Sequence, residues 1–211
     1  MIITYQGIEF FKLQVGDTVF AVNPISKESK FKPSRFGADV VLVSASHPDF
    51  NGADQMGFGE KKPFVISGPG EYEIKGVFVR GFSSVSHHGG KDLINTIYLL
   101  SLDSINLCFL GAHDSTEIPT EMAEIIEDID ILFVPIGGEG VLDASAAYKL
   151  AVKLEPKLII PMHYGDVGSK TALKTFLKEG GEEDLKAEDK LTIKKKDLEG
   201  KEGEIVLLNQ I

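Results

Sequence analysis

The spacing of apolar residues changes once along the chain, near residue 115. Before that point, short runs rich in β-branched and aromatic residues alternate with Gly, Asp, Asn or Pro. They predict strands over residues 2–5, 9–13, 18–22, 40–44, 64–67, 71–74, 77–83, 96–102 and 105–110. Val40-Val41-Leu42-Val43 has no polar position, as expected of a strand covered on both faces. Leu102-Asp103-Ser104-Ile105 predicts a tight hairpin turn. Beyond residue 115 the period lengthens. Pro119 suits a first helical turn, and Met122, Ile125 and Ile126 follow as an i, i+3, i+4 stripe. Asp143 is a good cap for a helix over 144–154 whose Ala147, Leu150, Ala151 and Leu154 share a face, and Glu155-Pro156 stops it. Ser169 can cap a third helix carrying Leu173, Phe176 and Leu177, which ends at Gly180-Gly181. Strands over 131–135 and 158–160 lie between the helices, and strands over 191–194 and 204–208 close the pattern. Strands first and helices after predict an α/β fold of packed sheets covered by helices. No linker or low-complexity tract interrupts it, so residues 1–211 read as a single domain.

Composition narrows the function. With 22 basic and 32 acidic residues the net charge is −10, which repels phosphate backbones, and no basic cluster interleaved with aromatics offsets it. Nucleic acid is therefore excluded as an expected partner. Lys194-Lys195-Lys196 reads as a solvated strand end or turn. The one cysteine, Cys108, sits in an apolar run and reads as a small buried hydrophobe. No disulfide within the chain is possible, in keeping with a reducing cytoplasm. MIITYQGIEF lacks a basic start followed by an apolar core, and no apolar run is of membrane-spanning length; the expectation is a cytoplasmic protein without a membrane partner.

The five histidines change the picture most. His47, His87, His88, His113 and His163 all follow directly on predicted strands, where loops at one sheet edge bring side chains together. The segments around and between them, in chain order, are Ser44-Ala45-Ser46-His47-Pro48-Asp49-Phe50-Asn51-Gly52, Gly68-Pro69-Gly70-Glu71-Tyr72-Glu73, Phe109-Leu110-Gly111-Ala112-His113-Asp114, Phe133-Val134-Pro135-Ile136-Gly137-Gly138 and Ile160-Pro161-Met162-His163-Tyr164-Gly165. In these segments the chain resembles the metallo-β-lactamase superfamily, over nearly its whole length. The nearest branch is that of small intracellular Zn-dependent hydrolases related to the ascorbate-6-phosphate lactonases. The resemblance implies a four-layer αββα sandwich with a site along one edge of its two sheets.

It also implies a ligand set. Members carry a His-x-His-x-Asp-His loop, a histidine from a later loop, an aspartate in a Gly-Asp turn that bridges two ions, and a last histidine. Neutral imidazole and carboxylate suit Zn²⁺, whose open positions hold a water of lowered pKa. On this sequence the loop keeps His47 and Asp49, while Ala45 and Phe50 stand where its first and last histidines belong. His87 or His88 matches the later histidine, with the distance from the preceding strand slightly favouring His87. Ala112 replaces the bridging aspartate, and His163 matches the last ligand. With three of seven ligands lost, each of the two ions would keep two, below the three of a catalytic zinc.

What remains open is one ion (Zn, or Mn or Fe) on His47, Asp49, His87 or His88, and His163, or none at all. Asp49 is the candidate catalytic carboxylate, and His113 and Asp114, displaced by one and two residues from the lost aspartate, are candidate replacements. The alternatives are local: His47 bonding its own loop, Asp49 capping the Asn51-Gly52 turn, His87-His88 exposed, His113 and Asp114 as surface groups, His163 packed beside Tyr164. Asn23 stands where the family commonly has an aspartate that braces the metal loop. The expected function is that of a metal-dependent-hydrolase-like protein with an eroded dinuclear site, weakly active or inactive. The alternative is a mononuclear hydrolase of an ester, lactone or phosphodiester. Its small-molecule ligand is not specified by the sequence; loops 27–36 and 139–141 are placed to select it. Homo-oligomers are common among relatives, and Phe10-Phe11 is a candidate contributor of apolar surface.

Overall fold

A computed structural model describes residues 1–32 and 34–211. The chain begins with a meander, β1 (Ile2–Gly7), β2 (Phe10–Val15) and β3 (Thr18–Val22), and continues through β4 (Val40–Leu42) and β5 (Phe64–Ile66), which run parallel to β3. It then crosses to a second sheet: β6 (Gly70–Ile74), β7 (Val77–Ser86), β8 (Leu93–Leu102) and β9 (Ile105–Phe109) are antiparallel neighbours. After the short α1 (Thr120–Ala123), β10 (Ile131–Pro135), α2 (Ala144–Leu154), β11 (Leu158–Met162) and α3 (Ala172–Glu179) make parallel crossovers. Finally β12 (Leu191–Thr192) returns to the first sheet and β13 (Glu204–Ile205) to the second. The strand orders are β12-β1-β2-β3-β4-β5 and β13-β11-β10-β9-β8-β7-β6. This is the α/β sandwich that the resemblance implies.

Strand alternation builds the layers. Phe11, Leu13, Phe20 and Leu42 point from the first sheet into the interior, where they meet Tyr98, Phe109, Phe133 and Ile160 from the second. Burying one such aromatic contributes roughly 1.5–3 kcal/mol. On the far side of the second sheet, Leu132, Val134 and Ile159 pack under Leu150 of α2 and Phe176 of α3. On the far side of the first sheet, Phe10, Ala21 and Val41 are covered by Ile25, Phe50 and Met56 from the long connections around β4, whose described residues include the 3-10 turn Ala53–Gln55. Phe10 and Phe11 are therefore both fully buried, on opposite faces of β2, and the expectation that they supply surface for association is overturned.

Asp143 caps α2 by accepting from the Ala146 N–H at 2.9 Å, and the 103–104 turn has both central residues at positive φ, as its two-residue hairpin requires. The helix expected after Pro119 stops after one turn. Glu121, Glu124, Glu127 and Asp128 crowd like charges three and four apart and place acid at the negative end of the helix dipole, which opposes extension. Cys108 is buried, and burial pushes its thiol up, out of reach of reactivity at neutral pH. No helix among the described residues is long and apolar enough to cross a membrane.

Two buried aspartates occupy matching places, each immediately before a central strand. Asp39 accepts the Val19 N–H and bonds Lys61 and Lys75 at 2.6 and 2.7 Å, tying β3 and β4 to the turn between β6 and β7. Asp130 accepts the Asn106 N–H and bonds Lys157 and Lys195, so Lys195 is a structural partner and not only a solvated turn residue. Burial pushes the Asp39 carboxyl up, but the bonds from Lys61, Lys75 and Val19 outweigh it and hold it well below the usual carboxylate range. A depressed folded pKa gives stability that is complete above the unfolded-state value of about 4 and is lost as pH falls through the folded one. Asp39→Asn should thus cost about 1–2 kcal/mol at neutral pH, below the buried-pair range because both lysines can turn into water. Chemical denaturation from pH 7 to pH 2 should also show a flatter acid limb in the variant; parallel curves would exclude this role for Asp39.

Candidate metal centre

Loops leaving β4, β7, β9 and β11 gather at one edge of the sandwich. Their backbones are fixed by buried amides. Asn23 accepts the Ser44 N–H and donates to Ser44 Oγ and Glu9, while Asn95 donates to the Leu110 carbonyl and accepts the Ala112 N–H. The Thr96 N–H donates to the Ser44 carbonyl, joining the two sheets at this edge.

On that frame the β4 loop presents His47 and Asp49, and the turn after β7 presents His88. One ligand atom from each of these three lies within 4.8 Å of the others. Asp49 is buried; its Oδ2 bonds His88 Nε2 at 3.0 Å and its Oδ1 accepts from Ser29 Oγ at 2.5 Å. Burial pushes the Asp49 carboxyl up, but the bonds from His88 and Ser29 more than reverse this, so it is a carboxylate at neutral pH. Burial lowers the His47 pKa, with His88 alongside adding to the effect, so this imidazole is neutral. Its Nδ1 accepts the Asp49 N–H at 3.3 Å. Gly89, at φ +71°, lets the loop pass: a Cβ there would stand 3.1 Å from His47 Nε2. His163, at the end of β11, completes the group, with its ring 5.0 Å from that of His88. All four line a cavity of about 550 Å³, together with Ser29, Lys30 and Glu139.

A sequence profile described as "Beta-lactamase superfamily domain" matches residues 2–163. The chain belongs to the metallo-β-lactamase superfamily. Over 192 residues it is 29% identical to a metal-dependent hydrolase of Carboxydothermus hydrogenoformans, an alignment spanning 78% of this chain and 84% of that one. A metal-dependent hydrolase of Thermococcus kodakarensis is 25% identical over 185 residues, 74% of this chain and 79% of the other. The crystal structure of a candidate Zn-dependent hydrolase of the superfamily from Thermotoga maritima matches with a TM-score of 0.76 at 26% identity, over 98% of this chain and 97% of that one.

Within this metallo-β-lactamase frame the expected site residues separate. His47, Asp49, His88 and His163 come together. His87, favoured from its distance to β7, does not join them: its side chain is more than half exposed and bonds Asp114, with Asp92 at 3.4 Å. Two adjacent residues cannot share a direction here, because the turn His88–Gly90 begins between them and His88 turns inward. Asp114 is thereby engaged away from the group. His113 is buried with Nε2 bonded to the Glu117 carbonyl at 3.1 Å, so neither residue replaces the lost aspartate in this structure. Asp49 does not cap the Asn51-Gly52 turn but serves His88 and Ser29 instead. Ala45, Phe50 and Ala112, at the three positions where the resemblance implies ligands, are buried in one apolar cluster with Val141 and Val167. Glu9 was not singled out from the sequence, yet it is fully buried and bonds His163 Nδ1 at 2.7 Å. Its signal was a lone acid inside Ile8-Glu9-Phe10-Phe11.

The residues present fit one cation. Two imidazoles and a carboxylate are the three-ligand set of a catalytic zinc or a non-haem iron. Asp49 already engages His88 Nε2, and among the described residues no hydrogen-bond partner meets the buried His88 Nδ1. Of the positions that the resemblance implies for a second ion, those of Phe50 and Ala112 carry buried apolar side chains.

The outlying pair gives a check on this placement. Asp114 raises the His87 pKa by hydrogen bonding and charge, with Asp92 adding to it. The pair's stabilisation is therefore present at low pH and lost as pH rises through the raised value. NMR titration should place the His87 midpoint above about 6.5, the ordinary imidazole value, and Asp114→Asn should return it there. An unshifted wild-type midpoint would put His87 elsewhere.

Proposed function

We propose that this metal-dependent-hydrolase-like protein has an eroded dinuclear site that binds a single zinc, manganese or iron ion, and that it hydrolyses substrates weakly or not at all. The observation that carries this reading is the convergence of His47, Asp49 and His88 within 4.8 Å, with His163 as a fourth donor on the same cavity. Such an ion, when bound, supplies a Lewis acid and lowers the pKa of water. The chain's own residues constrain the rest. Asp49 is held by Ser29 and His88, which fixes its carboxylate at the cavity wall as a ligand and candidate catalytic group. Phe50 lies with its ring 4.9 Å from that of His88 and excludes water from the side where a second ion would sit. The absence of a bridging carboxylate at Ala112 removes the group that would hold two ions together.

A mononuclear hydrolase of an ester, lactone or phosphodiester is the second reading. It is favoured by the three-ligand set opening onto a cavity whose wall includes Glu28, Ser29, Lys30 and Glu139, from the loops expected to select a small molecule.

Elemental analysis of tag-free protein reconstituted with zinc, manganese or iron tests both. One ion per chain is expected, lost in His88→Ala and retained in His87→Ala; metal at background level in the wild type, or two ions per chain, overturns the single-ion proposal. Ion-dependent turnover of ester, lactone or phosphodiester substrates that disappears in His88→Ala would select the second reading. The combined change Ala45→His, Phe50→His and Ala112→Asp should raise the stoichiometry toward two. Without metal it should lower stability, because three polar groups then replace buried apolar ones.

A further inference from the structure

Three non-glycine residues in the left-handed backbone region meet at one point behind the cavity: Ile8 (φ +54°), Asn23 (φ +49°) and His163 (φ +59°). Such conformations cost roughly 1–3 kcal/mol each and persist where the surroundings enforce them, commonly at functional sites. What they surround is Glu9. The His163 N–H donates to the Ile8 carbonyl at 2.5 Å, His163 Nδ1 faces Glu9 Oε1 at 2.7 Å, and Asn23 Nδ2 donates to Glu9 Oε2 at 2.9 Å. Glu9 and Asn23 are completely buried and His163 is 1% exposed.

We propose that Glu9 is a positioning residue: it holds His163 as the Nδ1–H tautomer, so that the unprotonated Nε2 is the atom this histidine offers to the cavity. Both Glu9 oxygens accept hydrogen bonds, one from Asn23 and one from His163. Asn23 cannot reverse its amide without losing the Ser44 N–H that its own Oδ1 accepts at 2.7 Å. With Glu9 as a carboxylate, the donor sense of the chain is set from Ser44 through Asn23 and Glu9 to the imidazole, and the Nδ1–H tautomer is the one that satisfies it. A carboxylate behind a histidine also fixes the plane of the ring, as ligand histidines require. The effect of Glu9 on metal binding rests on the single-ion reading, whereas its effect on the tautomer does not.

Long-range ¹H–¹⁵N correlation spectra of the metal-free ¹⁵N-labelled protein read the tautomer directly. The wild type should show His163 with Nδ1 protonated and Nε2 bare; an Nε2–H tautomer there overturns the proposal without any variant. Glu9→Gln is isosteric but turns one acceptor into an NH₂ donor, so His163 should switch to Nε2–H. Zinc affinity, measured against a competing chelator, should then fall about 10- to 100-fold. In a His163→Ala background, adding Glu9→Gln should change zinc affinity less than twofold. An unswitched tautomer in Glu9→Gln, or an equal loss of affinity in both backgrounds, overturns the positioning role. If wild-type protein binds no zinc, manganese or iron, the single-ion reading fails, and the tautomer spectra alone decide the role of Glu9.

Discussion

Where strands of two sheets end at a common edge, their last backbone groups have no ladder partner and no water, and side-chain amides must complete them. Asn23 and Asn95 do this, both completely buried. Asn23 closes the end of β3 onto β4, and Asn95 closes β8 onto the segment that leaves β9. The Ser44 carbonyl links the two arrangements through Thr96. The loop that carries His47 and Asp49 leaves from Ser44, and His163 is tied to the same joint through Glu9 and Asn23. Gly111 is held so tightly that a Cβ there would lie 2.5 Å from Asn95 Oδ1. An aspartate in the next position would have to be accommodated on a backbone this closely held.

The edge is divided into a polar and an apolar half. His47, Asp49, His88 and His163 share hydrogen bonds and ring contacts on one side, while Ala45, Phe50 and Ala112 belong to the cluster covering the first sheet on the other. The apolar half is cheap to maintain without metal, since it buries an aromatic ring in place of groups with a large desolvation cost. The polar half is the costlier one to bury, and among the described residues its His88 Nδ1 has no hydrogen-bond partner. Stability of the metal-free fold and retention of one donor cluster are thus compatible, because different residues carry them.

Much of the fold was legible because its signals are local. Turn residues and β-branched runs marked the strands, the i, i+3, i+4 stripe with Asp143 and Glu155-Pro156 bounded α2, and the uninterrupted Val40–Leu42 run indicated a doubly covered strand. The helix after Pro119 was overread because its apolar stripe is local, while the repulsion among its acids opposes it. Phe10-Phe11 looked like spare apolar surface until both faces of β2 were seen to be covered, one by the second sheet and one by loops.

For the site, the sequence by itself determined the inventory: five histidines at strand exits, Asp49, and three apolar residues at positions where the family resemblance implies ligands. It could not say which histidine of the adjacent pair turns inward, because that depends on where the β7 strand ends and its turn begins; tertiary packing sends His88 in and His87 out. It could not join Glu9 to His163 across 154 positions, since no local rule connects the turn of the first hairpin to the end of β11. Only the closing of the two sheets on one another brings that carboxylate behind that imidazole, and the burial this imposes is why the two must pair.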